Sequence, residues 1–97
     1  MASLHVTEFR GVAAGAGGPI NAPYGYITTQ EITIGSEVDT AALNAATRLV
    51  RCWAEAACHI CWGAAEQAAS TAKMPLGAGE SFTFAVDGTD EISVIAA

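Results

Sequence analysis

An all-β domain is predicted by three stretches of this 97-residue chain. In "YITTQEITIGS", Ile32 and Ile34 alternate with Thr33 among β-branched and aromatic residues, and Gly35 closes the run. In "SFTFAV", "DGTD" and "EISVIAA", a strand, a tight turn and a second strand follow one another, with Asp87-Gly88 as the strongest hairpin signal in the chain. In "SLHVTEFRG", Leu4, Val6 and Glu8 alternate with His5, Thr7 and Phe9, which fits a first strand better than a helix. The glycine-rich "PLGAGE" reads as the turn that leads into the C-terminal pair.

Composition makes the core thin. Of the 52% apolar residues, twenty-one are alanine, and Leu, Ile, Val and Phe together number twenty. Such a chain forms one domain, residues 1–97, and gains by burying surface against copies of itself or a larger partner. Ten carboxylates face Arg10, Arg48, Arg51 and Lys73, for a formal net charge of −6. Scattered cations in an acidic chain argue against nucleic acid as a partner. No stretch nears the roughly 18 apolar residues of a membrane span. The opening "MASLHVTEFR" has no apolar run of signal-peptide length, so synthesis in the cytoplasm is expected.

Between the first strands lies "GVAAGAGGPINAPYG", with five of the ten glycines and two of the three prolines. Residues 11–23 therefore read as an extended arm or loop, of a kind that orders against a neighbour. The middle of the chain reads two ways. Leu43, Ala46, Val50, Trp53, Ala57, Ile60 and Ala64 form a helical seam that Asp39 or Thr40 could cap. Alternatively, Val50 and Cys52, then Cys58, Ile60 and Trp62, alternate as two strands of a hairpin turning near Glu55. Bulky β-branched and aromatic residues favour the hairpin, but periodicity alone leaves 40–64 open.

All three cysteines and both tryptophans fall in "RLVRCWAEAACHICWG". Cys58 and Cys61 have C-x-x-C spacing, yet a zinc site wants four ligands, and beyond Cys52, His59 and the distant His5 few candidates remain. A thioredoxin-like dithiol needs a helix N-terminus within a βαβ context that is not evident here. On a strand, residues three apart face opposite ways, so neither a shared metal nor a bond between them is expected. The cysteines then read as small buried apolar residues. A hairpin with a three-residue loop would set Cys52 opposite Cys58 and allow a cross-strand disulfide in an oxidising medium. His5 and His59 are isolated in sequence, and Glu37/Asp39 and Asp90/Glu91 read as solvated loop charges. No nucleophile motif or phosphate loop is present. A non-enzyme with no catalytic residue, cofactor or metal is expected.

The order of pieces, "LHVTEFRG", the Gly/Pro/Ala arm, "QEITIG", "NAATRLVRCWAEAACHICWG" and "LGAGESFTFAV", resembles a group of small proteins encoded beside the major capsid gene of tailed bacteriophages. The likeness covers most of the chain and has no catalytic signature; "CHICW" departs from the lighter residues usual there. What it implies is a virion protein on the capsid surface, a decoration or cement protein with a small antiparallel β-sandwich of jelly-roll or immunoglobulin-like type. It also implies the major capsid protein as partner and a trimeric or dimeric state. Arm composition nominates Phe9, Arg10, Ile20, Pro23 and Tyr24 for capsid or subunit contact. Rival readings are another joining or fibre-attachment role in the virion, and a thiol redox or metal module built on Cys58 and Cys61.

Overall fold

The computed structural model describes residues 2–14, 21–64 and 66–97. Its strands are β1 (Ser3–Ala14), β2 (Asn21–Thr33), β3 (Asp39–Ala42), β4 (Leu49–Ala54), β5 (Cys58–Ala64), β6 (Met74–Leu76), β7 (Ser81–Ala85) and β8 (Asp90–Ala96). They form two four-stranded antiparallel sheets, β2-β1-β4-β7 (sheet A) and β3-β8-β5-β6 (sheet B). From β2 to β8 every connection changes sheet except β5 to β6, as in a jelly roll. The expected sandwich thus takes the jelly-roll form, with β1 inserted between β2 and β4.

Period-2 alternation fills the space between the sheets. Leu4, Val6, Ile32, Val50 and Cys52 point in from sheet A and meet Cys58, Ile60, Leu76, Ile92 and Val94 from sheet B, all nearly or fully buried. Each large aliphatic side chain here contributes about 1.5–3 kcal/mol of transfer free energy. Trp62 stacks on Phe84 with centroids 3.9 Å apart and lies 5.9 Å from Phe82, so three aromatic rings close the side of the core beneath β7.

Two turns differ from the sequence expectation. The segment 40–64 is neither a helix nor a hairpin: β4 belongs to sheet A and β5 to sheet B, so Glu55–Ala57 is a bridge between sheets. The inward residues of both strands are apolar, and bridging lets the two rows face each other across the core instead of lying side by side. Nor does "EAA" contain the glycine or asparagine that a two-residue hairpin turn favours. Asp87-Gly88 is likewise a bridge, from β7 in sheet A to β8 in sheet B. Asp90 N–H donates to Asp87 O at 2.9 Å, and Gly88 does not adopt positive φ. Gly88 is needed for closeness instead. A Cβ there would collide with the carbonyl oxygen of Ala45 and stand 2.6 Å from its carbonyl carbon. Gly88→Ala is therefore expected to cost about 1–3 kcal/mol, read from urea unfolding, by forcing two bridging loops apart.

The expected arm is partly a strand pair. β1 pairs with β4 only from Leu4 to Phe9, but continues pairing with β2 through Gly11↔Tyr24, Val12↔Pro23, Ala13↔Ala22 and Ala14↔Asn21. Residues 11–14 and 21–24 thus pair with each other alone, as a two-stranded ribbon projecting past the sandwich. Residues 15–20 lie outside the described residues. The ribbon begins at a bulge: Glu8 opposes Thr28, the next residue Phe9 opposes Tyr26, and Ile27 is the extra residue.

Candidate contact surface

The two outer faces are unequal. Over sheet B, the segment between β5 and β6 folds back across β8: Ala69 N–H donates to Ser93 Oγ at 2.8 Å, Thr40 Oγ1 lies 2.9 Å from the same oxygen, and Gln67 N–H donates to Glu91 at 3.2 Å. This covering leaves Ser93 wholly buried although it points away from the core. Over the outer face of sheet A no such segment lies among the described residues.

That open face can be read in rows across the strands. One row is Glu31, His5, Trp53 and Ser81; the next is Thr29, Thr7, Arg51 and Thr83. Farther along come Tyr26 and Phe9, and on the ribbon Tyr24 beside Gly11. Tyr24 is 51% exposed, Tyr26 63% and Trp53 42%, large values for side chains of this size. Phe9 and Tyr26 meet edge to face at 6.4 Å, and Tyr26 Oη lies 3.2 Å from Thr29 Oγ1, which in turn donates to Thr7 Oγ1 at 3.3 Å. These contacts hold the exposed rings in fixed orientations. Gly11 lets the Tyr24 ring close on the strand, since a Cβ there would stand 3.2 Å from Tyr24 Cε1.

Of the residues nominated from the sequence, Phe9 and Tyr24 come together on this face. Arg10 is exposed but has the opposite strand parity, and its aliphatic stem lies over Gly25, whose φ is +69°. Pro23 is exposed on β2, an edge strand where its missing N–H costs no ladder bond to a third strand. Ile20 lies outside the described residues. Sequence reasoning missed Tyr26 as a member of the face, which Trp53 also joins. Trp53 shares period-2 parity with Arg51, but Tyr26 stands three residues from Thr29 and reaches the same face only through the bulge at Ile27, which side-chain alternation does not mark.

Beneath the face, where the ribbon leaves the sandwich, Glu8 is buried at 1% exposure. Its carboxylate accepts from Asn44 N–H at 2.7 Å, Thr47 Oγ1 at 2.8 Å and Gln30 Nε2 at 3.1 Å, and Gln30 Nε2 also donates to Ala42 O. One side chain thus ties β1, β2 and the β3–β4 loop together, with the hydrogen-bond partners a buried polar group requires.

A second polar group stands on the face. His5 Nε2 lies 2.6 Å from Glu55 Oε2 and 3.7 Å from Glu31 Oε1, with its ring tilted against Trp53 at 5.1 Å. Glu55 also accepts from Ser3 N–H at 2.8 Å. The hydrogen bonds from His5 and Ser3 hold the Glu55 carboxyl below the usual carboxylate range. The stabilisation from those bonds is therefore present above the ordinary glutamate value and is lost as pH falls through the lowered one.

The cysteines do not form a centre. Cys52 and Cys58 are buried free thiols on facing sheets, so the hairpin geometry that suggested a cross-strand bond is absent. Burial, with Cys58 nearby, pushes the Cys52 thiol up to about 12, and burial also raises Cys58. Cys61, on the outer side of β5, is raised by burial against the opposing pull of Lys73 and a backbone hydrogen bond from Ala68. Because a thiolate is the reacting species, an aromatic disulfide reagent at neutral pH is expected to label at most Cys61 in the folded protein. Cys52 and Cys58 should react only on unfolding, a sequence that mass spectrometry of the labelled peptides reads directly.

The fold and face together define a small jelly-roll domain with one sheet covered by its own chain and the other presented to solvent. Compared with protein families, curated proteins and solved structures, the chain matches none.

Proposed function

We propose that this is a virion structural protein that binds the outside of a bacteriophage shell as a decoration or cement protein and stabilises the assembled lattice. The observation that carries the reading is the open face of sheet A, where Phe9, Tyr24, Tyr26 and Trp53 run from the sandwich onto a projecting ribbon. Oriented aromatic rings with little conformational entropy left to lose are efficient anchors. A ribbon reaching beyond the domain suits contact across a junction between subunits of the major capsid protein. Phe9, Pro23 and Tyr24 supply the contacts on this reading, and Arg10 addresses the ribbon's other side. Association of the free protein as a trimer or dimer would cover part of the same apolar surface.

The resemblance in "LHVTEFRG", "QEITIG" and "LGAGESFTFAV" supports the choice of partner. The thiol module loses ground because Cys58 points into the core and Cys61 away from it. Binding assembled but not dissociated shell subunits stabilises the shell by mass action, and many copies multiply the effect. Shells stripped of the protein and then resupplied with it should withstand higher temperature or urea than stripped shells. Equal resistance with and without saturating protein would contradict the cement reading.

A further inference from the structure

We propose that His5, Glu31 and Glu55 form a binding site for a divalent transition-metal ion of the zinc class on the open face of sheet A. Three elements converge there. β1 supplies His5, its pairing partner on β2 supplies Glu31, and the bridge after β4 supplies Glu55. One donor atom from each residue lies within 4.8 Å of the other two. The site is partly preorganised: Ser3 N–H holds one oxygen of Glu55, which leaves the other directed at His5 Nε2. The indole of Trp53 packs against the imidazole from the β4 side and restricts its rotation.

The spacing suits a metal once the proton between His5 and Glu55 is replaced. Zinc–ligand bonds of about 2.0–2.2 Å in tetrahedral geometry put ligand atoms roughly 3.3 Å apart. The observed His5 separations, 2.6 Å to Glu55 and 3.7 Å to Glu31, stand on either side of that distance. Both glutamate side chains are exposed enough to make the small adjustment, at 37% and 62%. Charge also favours a cation. Two carboxylates flank the imidazole, and no arginine or lysine pairs with either among the described residues. One imidazole and two carboxylates make a borderline donor set suited to Zn²⁺, Co²⁺ or Ni²⁺, whereas Ca²⁺ wants six or more oxygens. The remaining coordination position is open to water on the solvent side.

The test is calorimetric titration of the protein with zinc chloride, paired with Co²⁺ quenching of tryptophan fluorescence. A Cys61→Ser background keeps uptake by the partly exposed thiol out of the measurement. One ion per chain, with a dissociation constant below about 1 mM, is expected in that background. Glu31→Gln and His5→Asn should each weaken binding at least about tenfold, since even outer-shell partners of metal ligands cost that much. Glu31 is exposed, so its variant keeps the fold, which circular dichroism checks. Absence of saturable binding, or affinity unchanged in both variants, overturns the proposal. Shell binding is measured separately, so either idea can fail alone.

Discussion

Glu8→Ala is expected to destabilise the domain by about 3–5 kcal/mol, because it strips a buried carboxylate from Asn44 N–H and the Thr47 hydroxyl, which donate to nothing else. Asn44 N–H and the wholly buried Thr47 hydroxyl converge on the same oxygen, and Gln30 on the other. Their loss would be a large fraction of the stability of a domain this size, about 5–15 kcal/mol in total, and would lower Tm on the order of 20 °C. Glu8→Gln separates charge from shape. Its carbonyl can still accept from Asn44 and Thr47, while Gln30 turns its own oxygen toward the new amide and gives up its bond to Ala42 O, so the cost should fall to about 1–2 kcal/mol. Chemical denaturation of the three proteins measures both differences. An alanine variant within 1 kcal/mol of the parent would mean that water replaces the carboxylate and that the network does not organise this end of the sandwich.

The second large effect is on binding. Tyr24→Ser combined with Tyr26→Ser should lower affinity for the shell at least a hundredfold while changing stability by less than about 1 kcal/mol. Both rings are more than half exposed, so little core packing is lost. Buried in an interface, each such ring is worth about 2 kcal/mol or more, and a shell lattice multiplies per-copy losses. Unchanged sedimentation of the double variant with shells would move the contact off this face. The covered face of sheet B, closed by Ala69 and Gln67 over Ser93, would then have to open to take its place.

What the sequence revealed was local. Alternation placed Leu4, Val6 and Glu8 on one side of β1, and Ile32 in β2 and Ile34 just past its end on one side, and those residues are buried. Burial of Glu8 was implicit in that parity, but its donors Asn44 and Thr47 lie 36 and 39 residues away and carry no local signal. Alternation located the turn near Glu55, and turn chemistry the one at Asp87-Gly88, without saying which sheet would receive the chain. That choice depends on whole rows of apolar side chains meeting across the core, a non-local fact. The same limit hid the group around His5. A hairpin centred on the glycine-rich stretch places His5 within a residue of Glu31, yet strands read singly leave both looking solitary. In the arm, glycine and proline content concealed the ladder from Gly11↔Tyr24 to Ala14↔Asn21, because pairing there is carried by backbone groups that side-chain patterns do not register.

On the proposed reading, sheet A's open face and its ribbon seat this protein on a viral shell. The most direct test mixes the purified protein with shells of the same virus lacking it, pellets them, and maps the pelleted particles by cryo-electron microscopy. The account predicts saturable density at symmetry-related junctions, with Tyr24, Tyr26 and the ribbon turned toward the major capsid protein. Protein left in the supernatant, or density confined to a vertex or tail, would contradict it.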